Sequence, residues 1–116
     1  LEGKDITVYG DGSQTRDLTY VEDTIDGFLS VGMEEAAIGQ AINIGVGKDI
    51  KIIDLAKKVI EIIGSKSKIV HLEPRPAEVQ RLCSDSSKAK KLLNWEAKTS
   101  IDEGLRKNIE WVKNNV

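Results

Sequence analysis

The chain has 116 residues, of which 40% are hydrophobic and 31% charged, enough apolar residues for one globular domain with an aliphatic core. A formal net charge of −2 leaves no broad basic face, which argues against nucleic acid or an anionic membrane as partner. The single cysteine, Cys83, excludes an internal disulfide and fits a reducing cytoplasm, and no apolar run approaches the roughly 20 residues of a membrane span.

Residues 1–5 read as a polar lead-in, with no signal peptide before the first strand, and their abrupt start as that of a piece cut from a longer protein. Ile6-Thr-Val-Tyr9 is apolar and β-branched, the pattern of a short strand, and Leu18 to Val21 forms a second strand-like run. Between them the cluster Gly10-Asp-Gly-Ser-Gln14 makes a turn that delivers Arg16 and Asp17. Two readings of this loop stand side by side. Its glycines and the planar donor fork of Arg16 suit an anion, while a plain surface hairpin would have Asp17 pair with Arg16.

A helix is expected from Val21 to about Ala36, because Ile25, Phe28, Leu29, Gly32, Met33 and Ala36 recur at helical spacing, with Met33 as core filler. Ala41 to Ile44 reads as a strand closed by Gly45-Val-Gly47. Residues 51–64 form the cleanest amphipathic helix, weakly capped because Lys51 cannot accept a backbone N–H, and ended by Gly64. Residues 69–72 make a short strand in which His71 is structural. Pro74 and Pro76 bracket Arg75 in an extended segment, suited equally to a ligand clamp or a linker. Residues 78–84 are expected to be extended, with Ser84 or Asp85 capping a helix that buries Ala89, Leu92 and Leu93. Asn94 suits the left-handed turn after it. Ser100 and Glu103 form a capping box for a last helix that packs Ile101, Leu105, Ile109 and Val112, and both Trp95 and Trp111 are expected as core anchors.

Tyr9-Gly-Asp-Gly-Ser-Gln-Thr-Arg-Asp-Leu-Thr-Tyr-Val-Glu-Asp23 resembles a motif of the extended short-chain dehydrogenase/reductase family, the NAD-dependent nucleotide-sugar epimerases and dehydratases. Ile42-Asn-Ile-Gly45, Asp54-Leu-Ala56, Arg75-Pro-Ala-Glu78 and Asp85-Ser-Ser-Lys-Ala89 running into Leu93-Asn-Trp95 agree with it in order and spacing. The resemblance covers nearly the whole chain. It implies a small mixed α/β substrate-binding domain, the C-terminal portion of a Rossmann-type enzyme. It also implies that Arg16 and Arg75 approach the diphosphate of a nucleoside diphosphate-sugar, that Glu78 accepts hydrogen bonds from the ribose, and that backbone groups of Thr7 and Tyr9 meet the base edge. Asn43 adds a polar contact near the diphosphate.

No Tyr-x-x-x-Lys and no cluster of His and Cys occurs, and the pairs Gly10/Gly12 and Gly45/Gly47 lack a third glycine at fingerprint spacing. No catalytic, cofactor-binding or metal-binding residue is therefore assigned. Cys83 has no activating histidine and reads as a packing residue. By the resemblance, NAD and the catalytic groups belong to a missing N-terminal half, and the full-length protein is a cytoplasmic homodimer. The reading is the substrate-binding part of a 4,6-dehydratase or 4-epimerase. The alternative of another class is a non-enzymatic nucleotide-sensing or interaction module of the same fold.

Overall fold

A computed structural model describes residues 2–116, so Leu1 of the lead-in lies outside the described residues. The elements are β1 (Ile6–Tyr9), β2 (Thr15–Asp17), α1 (Val21–Met33), β3 (Asp49–Lys51), α2 (Ile52–Ile63), β4 (Ile69–Leu72), β5 (Arg81–Leu82), α3 (Ser87–Leu93) and α4 (Ile101–Asn115), with a 3-10 turn at Glu35–Ala37. They form the expected mixed α/β unit with two small sheets. In one, β1 and β4 run parallel, Ile6 opposite Ile69 and Tyr9 opposite Leu72. In the other, β2 lies between β3, antiparallel to it, and β5, parallel to it.

Two expected strands are corrected. The strand after the first loop is Thr15–Asp17 rather than residues 18–21, because Thr15 and Arg16 have ladder partners on both sides. Leu18 to Tyr20 instead leads into α1, with Tyr20 as its N-cap. Residues 41–44 are not in a ladder; Ile42 and Ile44 pack against the cluster around Trp95, and no described strand runs alongside them. The first helix ends at Met33, three residues short of Ala36.

The helix ends follow local chemistry. Gly64 and Asn94 take the left-handed conformation, at φ 68° and 49°, as expected. Lys51 makes no side-chain cap bond, but the carbonyls of Gln14 and Gly12 accept the N–H groups of Ile52 and Ile53, both at 3.0 Å, so the turn after β1 caps α2. The N-cap of α3 is Ser86 rather than Ser84 or Asp85; Ser84 is held by Asp17, and the Asp85 carboxylate accepts from Ser87 N at 3.0 Å. Ser100 Oγ accepts from Glu103 N at 3.2 Å, but the Glu103 carboxylate pairs with Lys107 at 3.0 Å, so the capping box is half made.

The core is thin. Among the described residues the buried apolar ones are Val8, Ala37, Ala56, Ala89, Leu93 and Trp95, and α2 contributes only Ala56. The molecule measures 49 × 36 × 19 Å with a radius of gyration of 16.7 Å, against about 13 Å for a compact domain of this length. Its surface is 8245 Å², roughly 2,000 Å² more than a folded monomer of this mass exposes. Part of that excess is the apolar face of α1: Ile25, Phe28, Leu29 and Met33 are exposed, Met33 to 82%. Met33 is therefore not core filler here, and Trp111, 61% exposed, is not a core anchor. Helical periodicity marks the face that seeks an apolar partner, and this slab supplies none. On its other side α1 is fixed closely, since a Cβ on Gly27 would lie 2.5 Å from Ile44 Cγ2 and 3.2 Å from Trp95.

Two outcomes follow from this packing. Residues 1–116 produced alone self-associate with rising concentration in sedimentation velocity, and Phe28→Glu reduces the association; a monomer that melts cooperatively would contradict the uncovered face. Gly12 combines φ +76° with a missing Cβ that would sit 2.8 Å from Ile53 Cβ and 2.9 Å from Val8 Cγ1. Gly12→Ala in the full-length protein lowers unfolding free energy by roughly 2–4 kcal/mol, and Gly39→Ala, whose Cβ meets nothing within 4 Å, by roughly 1–2 kcal/mol. Equal losses in denaturant titrations would remove the contact argument.

Candidate functional site

The loop after β1 is built rigid. Gly10 and Gly12 have φ +65° and +76°, and Asp11 Oδ1 accepts from Ser13 N at 2.8 Å, closing the turn. His71 Nδ1 lies 2.8 Å from the Gly10 carbonyl, a structural contact as expected of this histidine. The loop thereby joins β1, β4 and the start of α2.

Arg16 leaves β2 on the side of the 75–79 segment. Its Nη1 donates to the carbonyls of Thr15 at 2.7 Å and Val79 at 2.9 Å, and its Nη2 donates to Glu78 Oε1 at 3.2 Å. Three of its five N–H groups are thus taken, leaving Nε–H and one Nη2–H. Glu78 Oε2 accepts from Gln14 Nε2 at 3.4 Å, and that amide also donates to the Tyr9 carbonyl at 3.1 Å. Arg75 lies over the Tyr9 ring, its guanidinium carbon 3.9 Å from the centroid, a stacking that keeps its N–H donors at the edge. The turn from Arg75 to Glu78 is closed by Glu78 N on the Arg75 carbonyl at 3.3 Å. Pro76 and then Ala77, at φ 57°, fill the positions where a type II turn takes proline and a positive φ. Tyr9, Gln14, Arg16, Arg75 and Glu78 are therefore joined by direct contacts.

Thr7 and Tyr9 stand at the open edge of β1. The N–H groups of Ile6 and Gly10 bond to β4, at the carbonyls of Lys68 (2.8 Å) and Leu72 (2.9 Å), so alternation along the strand turns the backbone groups of Thr7 and Tyr9 the other way. Asn43 is placed apart from this cluster. Its Nδ2 donates to the Asp85 carbonyl at 3.3 Å, beyond the Asp17–Ser84 contact.

Asp17 does not pair with Arg16, because neighbours in a strand project to opposite faces. Its Oδ1 accepts from Val46 N at 3.2 Å, and its Oδ2 from Gly47 N at 2.9 Å, Ser84 N at 3.1 Å and the Ser84 hydroxyl. This carboxylate is structural, and its partners, distant in the chain, are not legible from the residues around it.

Other chemistry is sparse. Among the described residues no three His, Cys, Asp or Glu gather into a metal site. Cys83 has its thiol pushed up by burial, next by Asp49, the reverse of an activated nucleophile. Neither glycine pair opens a helix, since Gly10 and Gly12 lie between two strands and Gly45 and Gly47 lead into β3, so these residues do not fit a dinucleotide pyrophosphate. An apolar groove of about 560 Å³ between residues 18–22 and α4, walled by Tyr20, Leu105 and Trp111, lies apart from the arginine cluster and offers one cation, Lys107.

An ion pair joins β3 and β5, the two outer strands of their sheet, across β2. Arg81 Nε and Nη2 donate to the two oxygens of Asp49, each at 3.1 Å, and this bidentate contact lowers the Asp49 carboxyl to about 2. A depressed carboxyl stabilises the fold fully above its ordinary value of 3.8 and ceases to do so as pH falls through about 2. NMR titration of the full-length protein is expected to find Asp49 near 2 and, in Arg81→Met, back toward 3.8; an unmoved midpoint would reject the pairing.

Comparison with known proteins gives this geometry a context. A relative, UDP-glucuronate 4-epimerase of Thermodesulfobacterium geofontis, is 41% identical over 120 residues, covering 99% of this chain and 35% of that protein. The solved epimerase Mth375 of Methanothermobacter thermautotrophicus superposes with a TM-score of 0.93 at 36% identity, over 97% of this chain and 34% of its own. UDP-glucuronic acid 4-epimerase of Bacillus cereus, solved with UDP-glucuronic acid and NAD, gives 0.91 at 33% identity, over 99% and 37%. The chain thus spans about a third of the length of these relatives. The family model described as GDP-mannose 4,6 dehydratase matches residues 1–108, and the chain belongs to this family of NAD-dependent nucleotide-sugar epimerases and dehydratases.

Proposed function

We propose that this chain is the C-terminal, nucleotide-sugar-binding portion of an NAD-dependent nucleotide-sugar 4-epimerase or 4,6-dehydratase. The observation that carries the reading is the cluster of Arg16, Arg75, Glu78 and Tyr9 beside the open edge of β1. A nucleoside diphosphate-sugar presents a base edge, a ribose and a pyrophosphate in sequence. Thr7 and Tyr9 offer backbone donors and acceptors for the base, Glu78 offers acceptors for the ribose hydroxyls, and the arginines offer the remaining donors for the phosphates. Asn43, proposed as a polar contact near the diphosphate, lies apart from these residues, on the Asp85 carbonyl.

NAD, when bound, supplies oxidation at the sugar. Its site and the catalytic groups are assigned to a further, N-terminal portion of the polypeptide, which we also propose as the cover for the exposed face of α1. The relatives' threefold greater length supports this division. Among the described residues no helix is long and apolar enough to cross a membrane, and the full-length protein is proposed to be a cytoplasmic homodimer. Energy gathered at the nucleotide holds the sugar over the nicotinamide, which is how a part remote from the reacting bonds assists them.

Each charge-assisted hydrogen bond is worth about 1.5–3 kcal/mol. In the full-length protein, calorimetry is expected to show Arg16→Ala and Arg75→Ala each weakening UDP-glucose binding roughly ten- to hundredfold, with NAD affinity unchanged. Unchanged UDP-glucose affinity in both variants would overturn the assignment.

A further inference from the structure

We infer that Gln14 is a positioning residue that sets discrimination between ribose and deoxyribose in the bound nucleotide. The inference rests on the reading of Glu78 as the ribose acceptor.

Gln14 is a buried polar residue, 6% exposed, in a loop where Asp11 and Ser13 are less buried. Burying an amide is unfavourable unless its hydrogen bonds are made. The two N–H donors of its side chain find two acceptors on different segments, the Tyr9 carbonyl at 3.1 Å and Glu78 Oε2 at 3.4 Å. Arg16 Nη2 holds the other oxygen of the same carboxylate at 3.2 Å. With one protein donor on each oxygen, the Glu78 carboxylate cannot turn about its own axis without losing a contact. Each oxygen keeps a further lone pair, so the group presents two fixed acceptors side by side, a match for the two adjacent hydroxyls of a ribose. A deoxyribose has one of them.

The same amide fixes the spacing between the two parts of the nucleotide. Tyr9 is on the strand edge offered to the base, and Glu78 is on the turn offered to the sugar; Gln14 bonds to both. Arg16 cannot substitute, because its bonds run to Thr15, Val79 and Glu78 and not to Tyr9. Without Gln14 the carboxylate is held at one oxygen and is free to follow whichever hydroxyl remains.

The test uses the full-length protein, with affinities for UDP and for 2′-deoxy-UDP measured by calorimetry in wild type, Gln14→Met and Glu78→Ala. Wild type is expected to prefer UDP by about ten- to a hundredfold, the worth of one hydrogen bond to a charged group. Both variants are expected to bring that preference to within about threefold of unity. A merely structural role for Gln14 weakens both nucleotides alike and leaves the ratio unchanged, and a preserved ratio in Gln14→Met beside a lost one in Glu78→Ala would overturn the inference while leaving the proposed function standing. A wild type that binds neither nucleotide would instead overturn the proposed function. Should Gln14→Met not fold, NMR of the wild type decides: the Gln14 side-chain amide signals are expected to move more on binding UDP than 2′-deoxy-UDP, and equal movement would overturn the inference.

Discussion

The carboxylate of Asp17 is the point on which the rest of the structure depends. It sits at the end of β2 and accepts three backbone N–H bonds and one hydroxyl from segments far away in sequence, at residues 46–47 and 84. Each bond to such a charged acceptor is worth about 1.5–3 kcal/mol, more than a typical neutral one. The result is that β2 is held between β3 and β5 although each of these strands is two or three residues long. Because side chains alternate along a strand, locking Asp17 to one face sends Arg16 to the other, where Glu78 and Val79 receive it. The dipeptide works as a pair with divided labour, one residue tying the loops together and the other offering donors.

The slab shape has a matching logic. A sheet face or helix stripe must be covered by another layer, and here the strands, the loop cluster and α2 cover one another while α1 turns an apolar face outward. The two small sheets share this economy: β1 has β4 on one side and an open edge on the other. In a self-sufficient domain an open edge and an apolar helix face are liabilities. In the portion proposed here they are the surfaces by which the chain meets its nucleotide and the rest of the polypeptide.

What the sequence disclosed was mostly local. β1, β4, α2, the left-handed Gly64 and Asn94, and the burial of Ala89, Leu93 and Trp95 all follow from patterns within a few residues. The two arginines were legible because their motifs are, and their separate anchoring on Glu78 and Tyr9 was not. Residues 41–44 have strand composition, yet a strand exists only beside another strand, and its partner cannot be read from its own residues. Met33 and Trp111 show a similar limit: periodicity names an apolar face without saying what lies against it. Gln14 passed unnoticed because a glutamine beside Gly-Asp-Gly-Ser reads as a solvated turn, and only the return of residues 75–79 buries it. Ala77, at positive φ, could not be foreseen, since alanine is an unfavourable occupant of that conformation.

The parallel pairing of β1 with β4 also governs the order in which the molecule can assemble. Ile6 waits for Ile69 and Tyr9 for Leu72, so β1 stays unpartnered on this side until about sixty more residues have followed it. Closing so long a loop costs entropy before any ladder bond returns it. During that interval α1 and α2 can form from contacts near in sequence, and the β1–β4 ladder is completed late, on a scaffold of helices already in place.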